Sequence, residues 1–112
     1  MELDRKTLAQ IREIGGDELL GRLARLYLEH TPVRIEEVRR GLAAGDWPRT
    51  LRAIHSMRSS SATLGANELA QTAAELERLA EEGNRDRLES SLPELEEQTQ
   101  TALRALAKLA SR

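Results

Sequence analysis

Two histidines are the first candidates for chemistry in this chain, since it has no cysteine and therefore no thiol nucleophile, thiolate metal ligand or disulfide. We interpret His30, which lies close before a proline, as a polar surface residue. His55 has more telling neighbours, because Arg52 lies one helical turn before it and Arg58 and Ser59 lie one turn after it. The two guanidinium groups would attract a phosphoryl group, and the small serine would leave the imidazole open to another protein.

The segment around His55 also predicts the position of the ring relative to the core. On a helical wheel of about 100° per residue, most apolar residues of this segment and two small polar ones cluster about one direction, which we take as the core. They are Trp47, Thr50, Leu51, Ile54, Met57, Ser61 and Leu64. His55 lies roughly 110° from that direction, on the boundary between core and solvent. Packing can hold an imidazole there at its base while its outer nitrogen faces water.

The composition predicts that helices position this histidine. Leu (19) and Ala (15) dominate the hydrophobic residues of the 112-residue chain, Phe is absent, and Trp and Tyr occur once each. Leu, Ala, Glu and Arg favour helices, whereas sheets favour β-branched and aromatic side chains. The chain is therefore expected to be all-α.

Charge and hydropathy exclude several classes of protein. A net charge of −2 does not provide the basic surface of a non-specific nucleic-acid binder. No apolar run reaches the roughly 18 residues needed to span a bilayer, and the N-terminus lacks the basic-then-apolar layout of a signal peptide. We therefore expect a cytoplasmic protein that has neither a nucleic-acid nor a membrane partner.

Glycines, prolines and capping residues divide the chain into one short and four long helices. The short helix covers about 4–14 and ends at Gly15-Gly16, and the long ones cover about 17–44, 47–64, 67 to the Gly83-Asn84 turn, and 85–110. Long amphipathic helices joined by short loops pack most simply as an antiparallel up-down-up-down four-helix bundle. We expect one domain over 1–112, in which the bundle spans about 17–110 and the short helix caps one end.

Several local features follow from the same pattern. The short helix is expected to bury Leu8, Ile11 and Ile14 on one face. Pro32 is expected to bend the first long helix, and Asn67 to cap the third. Pro93 lies inside the last long segment, which is therefore either bent there or restarted, since Ser91 and Glu94 have the spacing of a capping box.

The stretch from Ala53 to Ala66 resembles the signature of histidine-containing phosphotransfer (HPt) domains. That signature has a histidine, an apolar residue two positions on, Lys or Arg three on, a small residue four on, and Leu-Gly-Ala nine to eleven on. These positions are occupied here by His55, Met57, Arg58, Ser59 and Leu64-Gly65-Ala66. The resemblance extends over about 15–110 and includes Tyr27 to Pro32, Gly45 to Trp47, Leu69, Leu76 and Glu77. Two positions depart from the common form, since Arg58 replaces a Lys and Ser59 replaces a Gly.

The resemblance implies a phosphocarrier of a two-component phosphorelay, in which His55 takes a phosphoryl group from an aspartate of one response-regulator receiver domain and passes it to another. It implies that Arg58 stabilises the phosphate, that Ser59 gives access, and that Glu77 orients the ring. We assign Arg52, Met57 and Ala62 to the binding surface. The expected partners are receiver domains, a hybrid sensor kinase, or both. The Mg²⁺ would be supplied by the receiver, so the chain, expected to be a monomer, needs no cofactor or metal of its own.

Other functions remain open. The sequence has no Gly-rich phosphate loop and no Walker-type lysine, so we expect no ATP-binding kinase site. A carboxylate metal site in a helical bundle would use Glu-x-x-His, but Arg52 and Tyr27 stand three residues before the two histidines. An HPt-like helical module that docks a receiver or kinase without carrying phosphate is the main alternative. A structural bundle with a coincidental motif is a third.

Overall fold

A computed structural model describes residues 2–110 of the chain, which form four helices. These are α1 (Arg5–Ala44), α2 (Trp47–Thr63), α3 (Asn67–Glu81) and α4 (Arg85–Ala110). Helix α1 packs against α2 and α4, and α3 packs against the same two helices. Connections of two or three residues reverse the chain between neighbours. The bundle measures 42 × 21 × 20 Å, and the expected all-α bundle is confirmed.

Helix α1 consists of two helices joined at Gly15 and Gly16, which are its non-helical residues. Gly16 has a φ of 69°, in the left-handed region that favours glycine. The short helix before this break is capped by Asp4, whose side chain accepts a hydrogen bond from the backbone N–H of Lys6. The backbone N–H of Asp4 donates to the carbonyl of Gly65 at 2.8 Å, in the turn between α2 and α3. The short helix therefore covers that end of the bundle, as the sequence predicts.

Two expectations about the short helix and its neighbours are wrong. Leu8 and Ile11 are buried, but Ile14 is 81% exposed, because each three-residue step rotates a side chain about 60° further from the first position. Asn67 does not cap α3, since Ala66 is the N-cap residue and makes no side-chain cap hydrogen bond. The amide of Asn67 donates instead to the carboxylate of Asp4 at 3.2 Å.

The two internal prolines lie within continuous helices. Helix α1 continues through Pro32, so the chain is not broken there, and the bend itself stays a prediction. Helix α4 is also continuous at Pro93, so the alternative of a restart at Ser91 is wrong. Pro93 is on the exposed side of α4, where the carbonyl that the proline leaves without a partner can bind water.

Helix α1 approaches α2 closely at Gly41, which faces Thr50. A Cβ added at Gly41 would overlap Oγ1 of Thr50 and would lie 3.1 Å from its backbone nitrogen. Thr50 is fully buried, and its hydroxyl donates to the carbonyl of Asp46 at 2.9 Å, so it has little freedom to move aside. The absence of a side chain at Gly41 therefore allows α1 to lie this close to α2, the helix that carries His55.

Candidate phosphoacceptor site

Helix α2 presents His55 on the boundary predicted from the sequence. Asp46 caps the helix by accepting a hydrogen bond from the backbone N–H of Arg49, and a proline follows in the first turn, where its missing N–H costs little. Ile54 and Met57 are buried on the core side of α2. The side chain of His55 is 56% exposed, so packing holds part of the ring while the rest faces solvent.

A hydrogen bond to Glu77 of α3 fixes the orientation of the imidazole. Nδ1 of His55 lies 2.8 Å from Oε2 of Glu77, whose side chain is only 11% exposed. An ionised carboxylate only accepts hydrogen bonds, so we assign the ring proton to Nδ1, which donates to Glu77. In the neutral ring the other nitrogen, Nε2, then carries a free lone pair. The role predicted for Glu77, to orient the ring, agrees with this geometry.

Arg58 lies beside the same carboxylate. Its Nε is 3.1 Å from Oε1 of Glu77, and its Nη2 is 3.3 Å from Nδ1 of His55. The contact between Nη2 and Nδ1 is an alternative to the Glu77 hydrogen bond, because a guanidinium can only donate and Nδ1 cannot accept while it donates its proton to Glu77. The shorter, charge-assisted contact between Nδ1 of His55 and Oε2 of Glu77 decides the tautomer. Arg58 is thus an electrostatic partner of Glu77 in this unphosphorylated arrangement, a contact that the sequence did not predict.

The remaining residues assigned to the site separate into two groups. Arg52, Ser59 and Ala62 are exposed on α2 around the histidine, where a partner can reach them. Met57 is only 1% exposed and belongs to the core. Its assignment to the binding surface is therefore wrong, because two residues along a helix rotate a side chain about 200° away from His55.

A buried hydrogen bond also joins α2 to α1. The hydroxyl of Tyr27 on α1 lies 2.9 Å from Oγ of Ser61, and both side chains are buried. Burial raises the pKa of the Tyr27 phenol, while the hydrogen bond to Ser61 opposes the increase. The phenol therefore stays protonated at neutral pH, and its hydrogen bond joins α1 to α2 in the core.

The sequence did not reveal a groove between α1 and α2 on the side of α2 away from Glu77. It has a volume of about 290 Å³ and is lined in part by Leu26 and His30 of α1 and by Ser56 and Ser60 of α2. Leu26 continues the apolar pattern of α1 but is exposed. Its exposure could not be predicted from periodicity, because only the packed neighbours show which edge of the apolar stripe is uncovered. His30 is exposed, as expected for a polar surface residue.

The arrangement around His55 suits nucleophilic chemistry more than metal binding. A neutral imidazole with its proton held at Nδ1 can attack an electrophile through Nε2, and the carboxylate stabilises the positive charge that develops on the ring. Within residues 2–110 no group of three or more His, Cys, Asp or Glu side chains is placed to hold a metal ion. None of the helices in the same range is long and apolar enough to cross a membrane.

Comparisons with known proteins identify the family of this chain. The model of the Hpt domain family matches residues 22–109, so the chain belongs to that family. It is a phosphotransfer protein of two-component signalling, a class whose members interact with response regulators and kinases in phosphorelays.

Among solved structures, the chain is similar to histidine-containing phosphotransfer protein B (HptB) from Pseudomonas aeruginosa PAO1. The TM-score is 0.90 at 25% sequence identity, over 98% of this chain and 95% of the other. A search of curated proteins found no match.

Proposed function

We propose that this protein carries a phosphoryl group on Nε2 of His55 between aspartates of response-regulator receiver domains. The observation that supports this most directly is the 2.8 Å hydrogen bond from Nδ1 to Glu77 beneath an exposed ring. That bond leaves the lone pair on Nε2, the nitrogen that must form the new bond. The location of His55 within the residues matched by the Hpt domain family supports the same role.

The transfer step balances without a cofactor on this chain. The Nε2 lone pair forms the N–P bond while the P–O bond of the receiver's aspartyl phosphate breaks, and its electron pair returns to the aspartate carboxylate. The ring, which keeps its Nδ1 proton, becomes positively charged, and Glu77 offsets this charge. Reversal of the step on a second receiver restores the neutral imidazole. In this proposal the receiver holds the Mg²⁺, and the protein acts as a cytoplasmic monomer.

Docking would bring the receiver's acidic centre against α2. Arg52 is exposed one turn before His55 and has no ion-pair partner among the described residues. Ser59 and Ala62 present small side chains along the exposed side of the same helix. We propose that Arg52 attracts the acidic partner and that the small residues allow its close approach.

The test of this function is phosphotransfer from a purified, phosphorylated receiver domain to the purified protein. We expect about one acid-labile, base-stable phosphate per chain, located on His55 by mass spectrometry, and its loss on adding a second, unphosphorylated receiver. A protein that binds its receiver tightly but never acquires acid-labile phosphate would be a docking module, and the carrier function would be wrong.

Replacing Glu77 by Gln should slow phosphoryl acceptance. Glutamine keeps the size of the side chain and an oxygen that can accept from Nδ1, but it removes the charge that offsets the imidazolium. Charge-assisted hydrogen bonds exceed neutral ones by about 1–2 kcal/mol, so the single-turnover rate should fall roughly five- to thirtyfold. Glu75→Gln is the matched control, because Glu75 is exposed on the same helix and pairs with Arg78. Equal rates for the two variants would contradict the role of Glu77.

Ser59 tests the docking surface rather than the chemistry. Ser59→Leu places a branched side chain beside His55 and should weaken receiver binding at least tenfold, whereas Ser59→Gly should bind as the wild type does. The glycine should lower helix stability by roughly half a kcal/mol. Isothermal titration calorimetry gives the affinities, and thermal unfolding measures the stability. Normal binding by Ser59→Leu would mean that the receiver docks elsewhere.

A further inference from the structure

We infer that Arg58 is a two-position residue that rests on Glu77 while His55 is unphosphorylated and moves to the phosphoryl group once it is bound to Nε2. The inference rests on the proposed function of His55. It assigns Arg58 a resting contact and a movement, in addition to the phosphate contact that the sequence suggests.

The first step of the argument is that the resting position holds Arg58 only weakly. Its Nε is 3.1 Å from Oε1 of Glu77, yet this buried oxygen accepts no hydrogen bond, so the attraction is electrostatic alone. Nη2 lies 3.3 Å from Nδ1 of His55, where two N–H groups face one another without an acceptor between them. The side chain of Arg58 is 43% exposed, and solvent weakens such a pair.

The second step concerns the charge that arrives with the phosphoryl group. A phosphoryl group brings about two negative charges and three acceptor oxygens, against the single charge of Glu77. The five N–H donors of a guanidinium match such oxygens well. Among the described residues Glu77 is the one anionic partner of Arg58, so no second ion pair has to break when it moves.

The third step is that the move reverses the effect of Arg58 on the ring. In its resting position a cation stands 3.3 Å from Nδ1 and opposes the positive charge that the ring acquires during transfer. After the move, the same cation neutralises the phosphoryl group, and the carboxylate of Glu77 faces the imidazolium alone. Arg58 thus disfavours charge on the empty ring and stabilises the phosphorylated one. Departure of the phosphoryl group returns it to Glu77.

The experiment uses phosphoramidate, a small donor that phosphorylates imidazole and releases ammonia, so that no receiver is needed. The readout is the ¹⁵N chemical shift of Arg58 Nε in the wild type and in Glu77→Gln, each with and without phosphate on His55. We expect Glu77→Gln to shift this resonance in the unphosphorylated protein and to leave it unchanged in the phosphorylated one. A shift of equal size in both states would mean that Arg58 never leaves Glu77, and the inference would be overturned.

The lifetime of the phosphohistidine gives a second measure. Arg58→Gln should shorten it about tenfold, whereas Arg49→Gln, which removes a cation from the first turn of the same helix, should leave it unchanged. An unchanged lifetime in Arg58→Gln would also overturn the inference. Failure of every receiver to donate would disprove the proposed function but not the movement of Arg58. If phosphoramidate does not label His55, a phosphorylated receiver supplies the phosphate for the same comparison.

Discussion

His55→Gln is expected to fold as the wild type does and to accept no phosphoryl group from any donor. The reacting lone pair belongs to Nε2 of the imidazole, and a glutamine amide has no comparable nucleophile. The side chain is 56% exposed, so its replacement leaves no cavity in the core. The free energy of unfolding should therefore change by less than about 1 kcal/mol, while acid-labile labelling falls to background.

His30→Gln is the matched control, because it removes the other histidine of the chain, which is also exposed on a helix. We expect wild-type labelling and wild-type transfer from this variant. Acid-labile phosphate on the His55→Gln protein, or a comparable loss in His30→Gln, would show that the phosphoacceptor is misassigned. Labelling and thermal unfolding measured on the same samples separate a lost nucleophile from a lost fold.

Gly41→Ala is expected to destabilise the bundle, although it adds only one methyl group. That group would overlap the hydroxyl of Thr50, which is fully buried and hydrogen-bonded to Asp46. Relieving this overlap requires α1 and α2 to move apart, and overpacking of this kind costs about 1–3 kcal/mol. The better helix propensity of alanine, worth up to about 1 kcal/mol, offsets only part of that cost. We expect the unfolding temperature to fall by several degrees.

The same substitution at Gly21 of α1 should have the opposite sign. A Cβ there would lie 3.4 Å from the flexible end of Arg25 and 3.7 Å from the carbonyl of Leu109, both close to ordinary contact distances. The propensity gain is then unopposed, and Gly21→Ala should stabilise the protein by up to about 1 kcal/mol. Differential scanning calorimetry of the two variants measures the difference. A stable Gly41→Ala would contradict the close approach of α1 to α2.

The periodic parts of the fold were predictable because helix boundaries depend on local chemistry. The break at Gly15-Gly16 and the exposed flank position of His55 both follow from residues adjacent in sequence. The prediction for Asn67 failed because it depended on a contact between distant segments. Asn67 was expected to act as a local cap. Its amide instead donates to Asp4, the residue that caps the start of α1 and that the fold brings beside it.

The candidate site divides in the same way. The sequence by itself determined which histidine is the proposed nucleophile, its cationic neighbours and the family signature, since these lie close together along the chain. Only the tertiary structure decided which nitrogen of His55 keeps its proton, because that depends on the 2.8 Å contact with Glu77, 22 residues away on α3. It also placed the guanidinium of Arg58 against this carboxylate. Helical periodicity determines the side of a helix on which a residue lies, but the partner that it meets depends on how the helices pack.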